Sequence, residues 1–161
     1  MSTSLDRVMA ALTAAKLGTI AIEMPPETHT AAQAAEAVGC DLDQIAKSMI
    51  FAGQNSGELY LFIVAGGNIV DPVKAATLAG EPLIRAHPGV VRERTGFAIA
   101  GFAPVGHLQA VRTFFDSRLK DFGIVYAAAG TPRHTFAIAP SDLQSISSST
   151  TAELTSRMAA A

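Results

Sequence analysis

Apolar residues recur at helical spacing near the start of the chain, with Leu5, Val8, Met9 and Leu12 on one face. The spacing predicts a helix over residues 4–16 with Ser4 as its N-cap. Residues 19–23 read as a short strand ended by Pro25 and Pro26. Thr30-Ala31-Ala32-Gln33 is a capping-box pattern opening a helix that stops near Gly39. Asp41 or Asp43 can cap a short helical stretch after it. Residues 47–52 then alternate as a strand, 53–57 turn, and 58–65 form a strongly apolar strand, so 47–65 reads as a hairpin.

Gly66-Gly67 follows the hairpin, and Asp71-Pro72 supplies an N-cap and an N1 proline for a helix through Ala79. A short strand is expected at 83–85 and a short helix at 88–94. Residues 96–106 are a glycine-rich loop. The pattern predicts a strand at 108–111 and a helical turn capped by Asp116. Strands at 123–128 and 134–139 flank the turn Gly130-Thr131-Pro132, and 140–145 is a helical turn. Residues 145–161 are expected to be a polar linker and a short C-terminal helix that Thr150-x-x-Glu153 opens. Helices and strands are interspersed, yet several strands are joined by short turns. The expectation is one α+β domain over 1–161, with a mixed, mainly antiparallel β-sheet flanked by helices.

Composition narrows the classes. A chain of 161 residues with 49% hydrophobic and 16% charged residues can bury a sizeable core. No apolar run approaches the roughly 18 residues needed to span a bilayer, and residues 1–16 lack a signal-peptide core. No membrane association and a cytoplasmic location are the expectation. A net charge of −2 argues against tight non-specific duplex binding and leaves room for a short, local nucleic-acid contact. Cys40 is the one cysteine, so no internal disulfide can form.

The chemistry centres on Lys47. In a strand it shares a face with Met49 and Phe51, where an ammonium is costly unless it has a partner or reaches water. Such a lysine is either a snorkelling or ion-paired residue, or one that faces a pocket. The loop at 96–106 favours the pocket, because glycines at close intervals let a backbone approach a ligand. His29, His87, His107 and His134 show no i, i+4 spacing and no carboxylate cluster, so no metal and no cofactor is expected. Cys40 reads as an inert thiol at a helix end. Ser48 points to the opposite strand face from Lys47, which argues against a Ser-Lys dyad. Gly66-Gly67 before a helix reads as a plain turn, with phosphate binding the less favoured alternative.

Gln44-Ile45-Ala46-Lys47-Ser48-Met49-Ile50-Phe51 resembles the lysine segment of the YbaK/prolyl-tRNA editing domain family. Thr95-Gly96-Phe97-x-x-x-Gly101-Phe102-x-Pro104-Val105-Gly106-His107 is similar to its substrate-binding glycine–proline loop. The family's Gly-x-x-x-Pro reads here as Ala100-Gly101-Phe102-Ala103-Pro104, with alanine at the first position. Residues 64–78, Ala127-Ala128-Ala129-Gly130 and Ala139-Pro140-Ser141-Asp142-Leu143 keep the family's order, so the resemblance runs over about 18–145. It implies the family's curved sheet and hydrolysis of a mischarged aminoacyl-tRNA ester, with tRNA for proline in first place. The partners implied are the acceptor end of aminoacyl-tRNA and a prolyl-tRNA synthetase. The chain has no room for a synthetase of its own, so the resemblance implies editing in trans. It also implies a catalytic role for Lys47 and substrate binding by Gly101, Phe102, Pro104, Gly106, Gly130 and His134. An inactive binding module for an amino acid, nucleotide or protein is the alternative.

Overall fold

The structure, a computed structural model, describes residues 3–157. Helix α1 (Thr3–Ala14) buries Val8 and Leu12 completely, as the one-faced spacing requires. Ser4 lies inside this helix, not at its cap, and its hydroxyl donates instead to the Gly96 carbonyl at 3.3 Å. Strand β1 (Ala21–Glu23) and helix α2 (Ala31–Val38) follow. The Thr30 hydroxyl accepts from Gln33 N at 3.1 Å, the Gln33 side chain accepts from Thr30 N, and Gly39 closes the helix at φ 75°.

A 3-10 turn (Leu42–Gln44) leads into β2 (Ile45–Gly53), which pairs antiparallel with β3 (Leu59–Ala65) from Ala46↔Ala65 to Ala52↔Leu59. Every residue of β3 is buried, so the sheet is covered on both faces. Leu61, Ile63 and Ala65 join Val8, Leu12, Phe97 and Phe136 in one core. Tyr60, Phe62 and Val64 join Phe114 and Leu154 in the other. Phe62 stacks on Phe114 with ring centroids 5.4 Å apart. Burying a side chain of this size stabilises by about 1.5–3 kcal/mol, and the ring pair adds about 0.5–1.5 kcal/mol.

After β3 come β4 (Asn68–Val70), α3 (Pro72–Ala79), β5 (Leu83–Arg85) and α4 (Pro88–Thr95). Asp71 caps α3 by accepting from Val73 N and Lys74 N. The strand expected at 108–111 is instead β6 (Arg112–Asp116). Leu108 N and Gln109 N are tied to the Thr95 and Arg94 carbonyls at the end of α4, and Leu108 is exposed. The aromatic run at 114–115 is what enters the sheet, parallel to β3. Asp116 then caps a 3-10 turn (Ser117–Asp121) through Arg118 N, as expected.

Strands β7 (Val125–Ala128) and β8 (His134–Ile138) pair antiparallel, and α5 (Pro140–Ser147) follows. The C-terminal helix expected from Thr150-x-x-Glu153 does not form. Residues there make β9 (Thr150–Ala152), parallel to β6, and β10 (Thr155–Arg157), antiparallel to β4. Burial of Leu154 in the second core and the Gln144–Thr151 side-chain bond of 2.7 Å draw this stretch into extended pairing. Residues 158–161 of that expected helix lie outside the described residues. The main sheet runs β1-β8-β7-β2-β3-β6-β9, with β5 also on β2. It is mixed and mainly antiparallel, as expected for the α+β class.

Candidate active site

One edge of β2 pairs with β3 along its length. The other edge is shared. Strand β7 takes Ile45 and Ala46, and β5 takes Phe51, Ala52 and Gly53. Among the described residues, 47–50 have no strand partner on that side, and alternate residues there turn N–H and C=O toward it. A cleft of about 330 Å³ opens beside this gap. Lys47, Ser48 and Met49 of β2 line it together with Gly101 and Phe102 of the glycine loop. Thr131, Pro132, His134, Met24 and residues 28–31 at the start of α2 also line it. The volume suits a small substrate group, and backbone donors stand along the wall.

Lys47 lies opposite Val64 and Ser48 opposite Ile63, so the two side chains leave opposite faces of the sheet, as alternation predicts. The half-buried Lys47 ammonium donates to the Asn68 carbonyl at 2.7 Å. Burial pushes it below the usual lysine range, and the charges of Asp43 and Asp116 act the other way. An ammonium has three donors, and this is one of them. The Ser48 hydroxyl is buried with no hydrogen-bond partner among the described residues.

Behind Lys47 stands a buried polar cluster that local sequence reading does not reveal. Asp43 turns inward from its 3-10 turn and accepts from Gly67 N at 2.8 Å, Arg118 Nε at 2.9 Å and Arg157 Nη1 at 2.7 Å. Burial pushes the Asp43 carboxyl up, but the bonds from Arg157, Arg118 and Gly67 outweigh it and hold the group below the usual carboxylate range. Asp116 accepts from Ala65 N at 3.0 Å and Asn68 Nδ2 at 2.9 Å. Removing the buried Asp43 carboxylate costs about 3–5 kcal/mol, whereas Arg118 and Arg157 are more than a third exposed and their loss costs less. The Gly66-Gly67 turn is filled by the protein itself: a Cβ at 66 would overlap the Leu42 carbonyl, and one at 67 the Asp43 carboxylate. That space holds no phosphate cradle.

The other expected site residues divide in two. Gly101, Phe102 and His134 line the cleft. The Thr131 hydroxyl and His134 Nδ1 are 2.7 Å apart, and the same hydroxyl accepts from Arg133 N at 3.2 Å. Pro104, Gly106 and Gly130 are not in the lining. Gly106, at φ 85°, passes against the Arg7 backbone, and a Cβ at Gly130 would meet Phe97 and the Ser4 carbonyl. Gly106 and Gly130 seat the loop and the turn on α1, and Pro104 is buried in the loop, between the cleft residue Phe102 and Gly106 in sequence. The Arg7 guanidinium, bonded to the Gly96 carbonyl and set over the Phe97 ring at 5.0 Å, completes that seat. His107 Nε2 is bonded to the Ala103 carbonyl at 2.8 Å. Burial pushes this imidazole below its ordinary range, opposed by that bond. His107 therefore braces the loop from behind.

Cys40 donates to the Asp41 carbonyl, and burial, then the neighbouring Asp41 charge, pushes its thiol up. Among the described residues no three His, Cys, Asp or Glu side chains converge as a metal-binding group, and no helix is long and apolar enough to cross a membrane.

The sequence model of the aminoacyl-tRNA editing domain family matches residues 25–146. The uncharacterized protein YwhH of Bacillus subtilis (strain 168) is 32% identical over 125 residues, 78% of this chain and 79% of its own length. A candidate trans-editing enzyme for prolyl tRNA synthetase superposes with a TM-score of 0.89 at 42% identity, covering 97% of this chain and 99% of that one. The hypothetical protein APE2540 superposes with a TM-score of 0.83 at 25% identity, over 93% of this chain and 99% of that one.

Proposed function

The chain belongs to the aminoacyl-tRNA editing domain family, and on that premise we propose that it is a deacylase editing mischarged aminoacyl-tRNA in trans. The observation that carries this reading is the cleft beside the unpaired stretch of β2, lined by Lys47 and by Gly101 and Phe102 of the loop. Tight pockets that read backbone-like groups need rigid donors at fixed positions, and a strand edge supplies them.

In this reading the 3′ end of tRNA enters with its aminoacyl group between β2 and the Gly101–Phe102 backbone. Lys47 meets the terminal ribose or phosphate and steadies charge there. Water attacks the ester carbonyl, the tetrahedral oxyanion collapses, and the bond to the ribose oxygen breaks. That oxygen recovers a proton, leaving a free amino acid and uncharged tRNA. A substrate hydroxyl assists the attack, so the protein's main contribution is position. His134 and Thr131 line the cleft and set the size of the group admitted. Pro104, Gly106 and Gly130 act by shaping the loops.

A small cleft has a use in this setting. A synthetase pocket separates amino acids differing by a methylene by only about 1–3 kcal/mol, so a second, hydrolytic sieve restores accuracy. The tRNA for proline is the proposed substrate, with a prolyl-tRNA synthetase as the source of the error. The test is a deacylation screen over tRNAs charged with alanine, serine, cysteine and proline, on proline and non-proline acceptors. Release of a small amino acid from tRNA for proline is the expected result. No release from any substrate, with binding retained, would replace this reading by that of a binding module.

A further inference from the structure

Strand β10 pairs Arg157 directly across from Asn68, the residue whose carbonyl receives the Lys47 ammonium. The Arg157 Nη1 donates to Asp43 Oδ2 at 2.7 Å and to Asn68 Oδ1 at 3.3 Å. The Asn68 amide nitrogen in turn donates to Asp116 at 2.9 Å. The side chain of Asn68 is thus gripped at both ends, and its backbone carbonyl is fixed with it. Lys74 holds the partner strand by donating to the Thr155 carbonyl at 2.9 Å, and the Leu154 carbonyl accepts from Asp71 N at 2.9 Å.

We propose that Arg157, acting with Asp43, is a positioning residue that fixes the Asn68 carbonyl and through it the ammonium of Lys47, a residue of the cleft lining. The inference rests on the deacylase reading for its effect on turnover, though not for the anchoring itself. Arg157 lies outside the 25–146 span of the family match, so this support comes from the C-terminal strands of the chain. A lysine chain has four rotatable carbons and loses its aim unless something holds the head group. A carbonyl in a two-stranded ladder, braced by two charged partners, is a stiff holder.

The charged groups that act on the ammonium are Asp43, from the 3-10 turn before β2, and Asp116, at the end of β6; Arg118, in the 3-10 turn after β6, and Arg157, on β10, bind Asp43. Asp121 pairs with Arg118 on the outer side. Removing the positive Arg157 leaves Asp43 less neutralised, which favours the protonated lysine. Removing the negative Asp43 does the reverse.

Arg157→Gln is the variant of choice, because the Arg157 side chain is 63% exposed and Arg118 still partners Asp43, so the protein folds. Two measurements are made. Steady-state deacylation of mischarged tRNA gives kcat and KM. The Lys47 13Cε shift, followed against pH in lysine-labelled protein, gives its titration directly; the chain has four lysines, and Lys47→Arg assigns the signal. The expected result is kcat down about fivefold to tenfold with KM within about twofold, partial rescue by Arg157→Lys, and a Lys47 titration moved to higher pH. Asp43→Asn, where it folds, moves the titration to lower pH. Wild-type kcat in folded Arg157→Gln would overturn the proposal. So would a loss of kcat with the Lys47 titration unmoved, which is the signature of a mere strut. If the wild-type protein deacylates nothing, the functional reading fails alone, and the titration shift still decides whether Arg157 governs Lys47.

Discussion

Gly101 lies so tight against Thr131 that a Cβ at position 101 would overlap the Thr131 carbonyl group. Its φ of 77° is left-handed as well. The glycine is therefore required where two loops of the cleft meet each other, a different reason from the ligand approach expected from sequence. The contact sets how far the 99–102 loop stands from the 131–134 turn, and so the width of the cleft.

Gly101→Val should cost both activity and stability. A β-branched residue at positive φ carries about 1–3 kcal/mol of strain, and each kcal/mol lowers Tm by about 2–4 °C in a protein of this size. The φ strain alone lowers Tm by about 2–12 °C, the overlap with the Thr131 backbone adds to that, and kcat/KM down at least about tenfold in the folded variant is expected. Calorimetry alongside the deacylation assay checks it. Near-normal turnover in the folded variant would remove this loop from the site.

Lys47→Ala should lower kcat/KM at least about tenfold, or about 1.4 kcal/mol of transition-state stabilisation. Burial already works against the charged form, so truncation should leave Tm within about 3 °C of the parent. Lys47→Arg should not restore full activity, because a planar fork cannot place a compact charge on the Asn68 carbonyl. A large fall in Tm with activity lost only in proportion to the unfolded fraction would make Lys47 a structural residue.

Acid should loosen the β2–β3 turn through Glu81. The Ser56 hydroxyl, the Ser56 N–H and the Tyr60 hydroxyl hold its carboxyl at about 2, from an ordinary 4.5. A folded-state value below the unfolded one stabilises fully above about 4.5. That contribution fades as pH falls toward about 2. Glu81→Gln should flatten the Tm-versus-pH curve across that window while leaving activity near neutral pH unchanged. An identical acid limb in the variant would show that the turn does not depend on this charge.

Hydrolysis should survive Cys40→Ser, thiol alkylation and dialysis against EDTA. The Cys40 thiol is raised by burial and the adjacent Asp41 charge, which keeps it protonated and unreactive. Deacylation is measured before and after each treatment. A large loss reversed by zinc would mean a metal site assembled in some other way.

The capping box at Thr30–Gln33, the Asp71-Pro72 helix start and the β2–β3 hairpin were legible in the chain because their bonds span a few residues or one short turn. So was Lys47, since a cation on an otherwise apolar strand face calls for an explanation wherever that strand packs. Tertiary pairing decided the rest. Residues 112–116 and not 108–111 entered the sheet because β3 offered an all-buried edge to Phe114 and Phe115. The C-terminal stretch became strands and not a helix because β6 and β4 had free edges and Leu154 had a core to enter. Asp43 meets Arg157 across 114 positions of sequence, and no local pattern encodes a contact at that separation. The position of the cation is therefore written in β2, while the bracing of the carbonyl that holds it exists only once the C-terminal strand β10 has paired back onto β4 and reached Asp43.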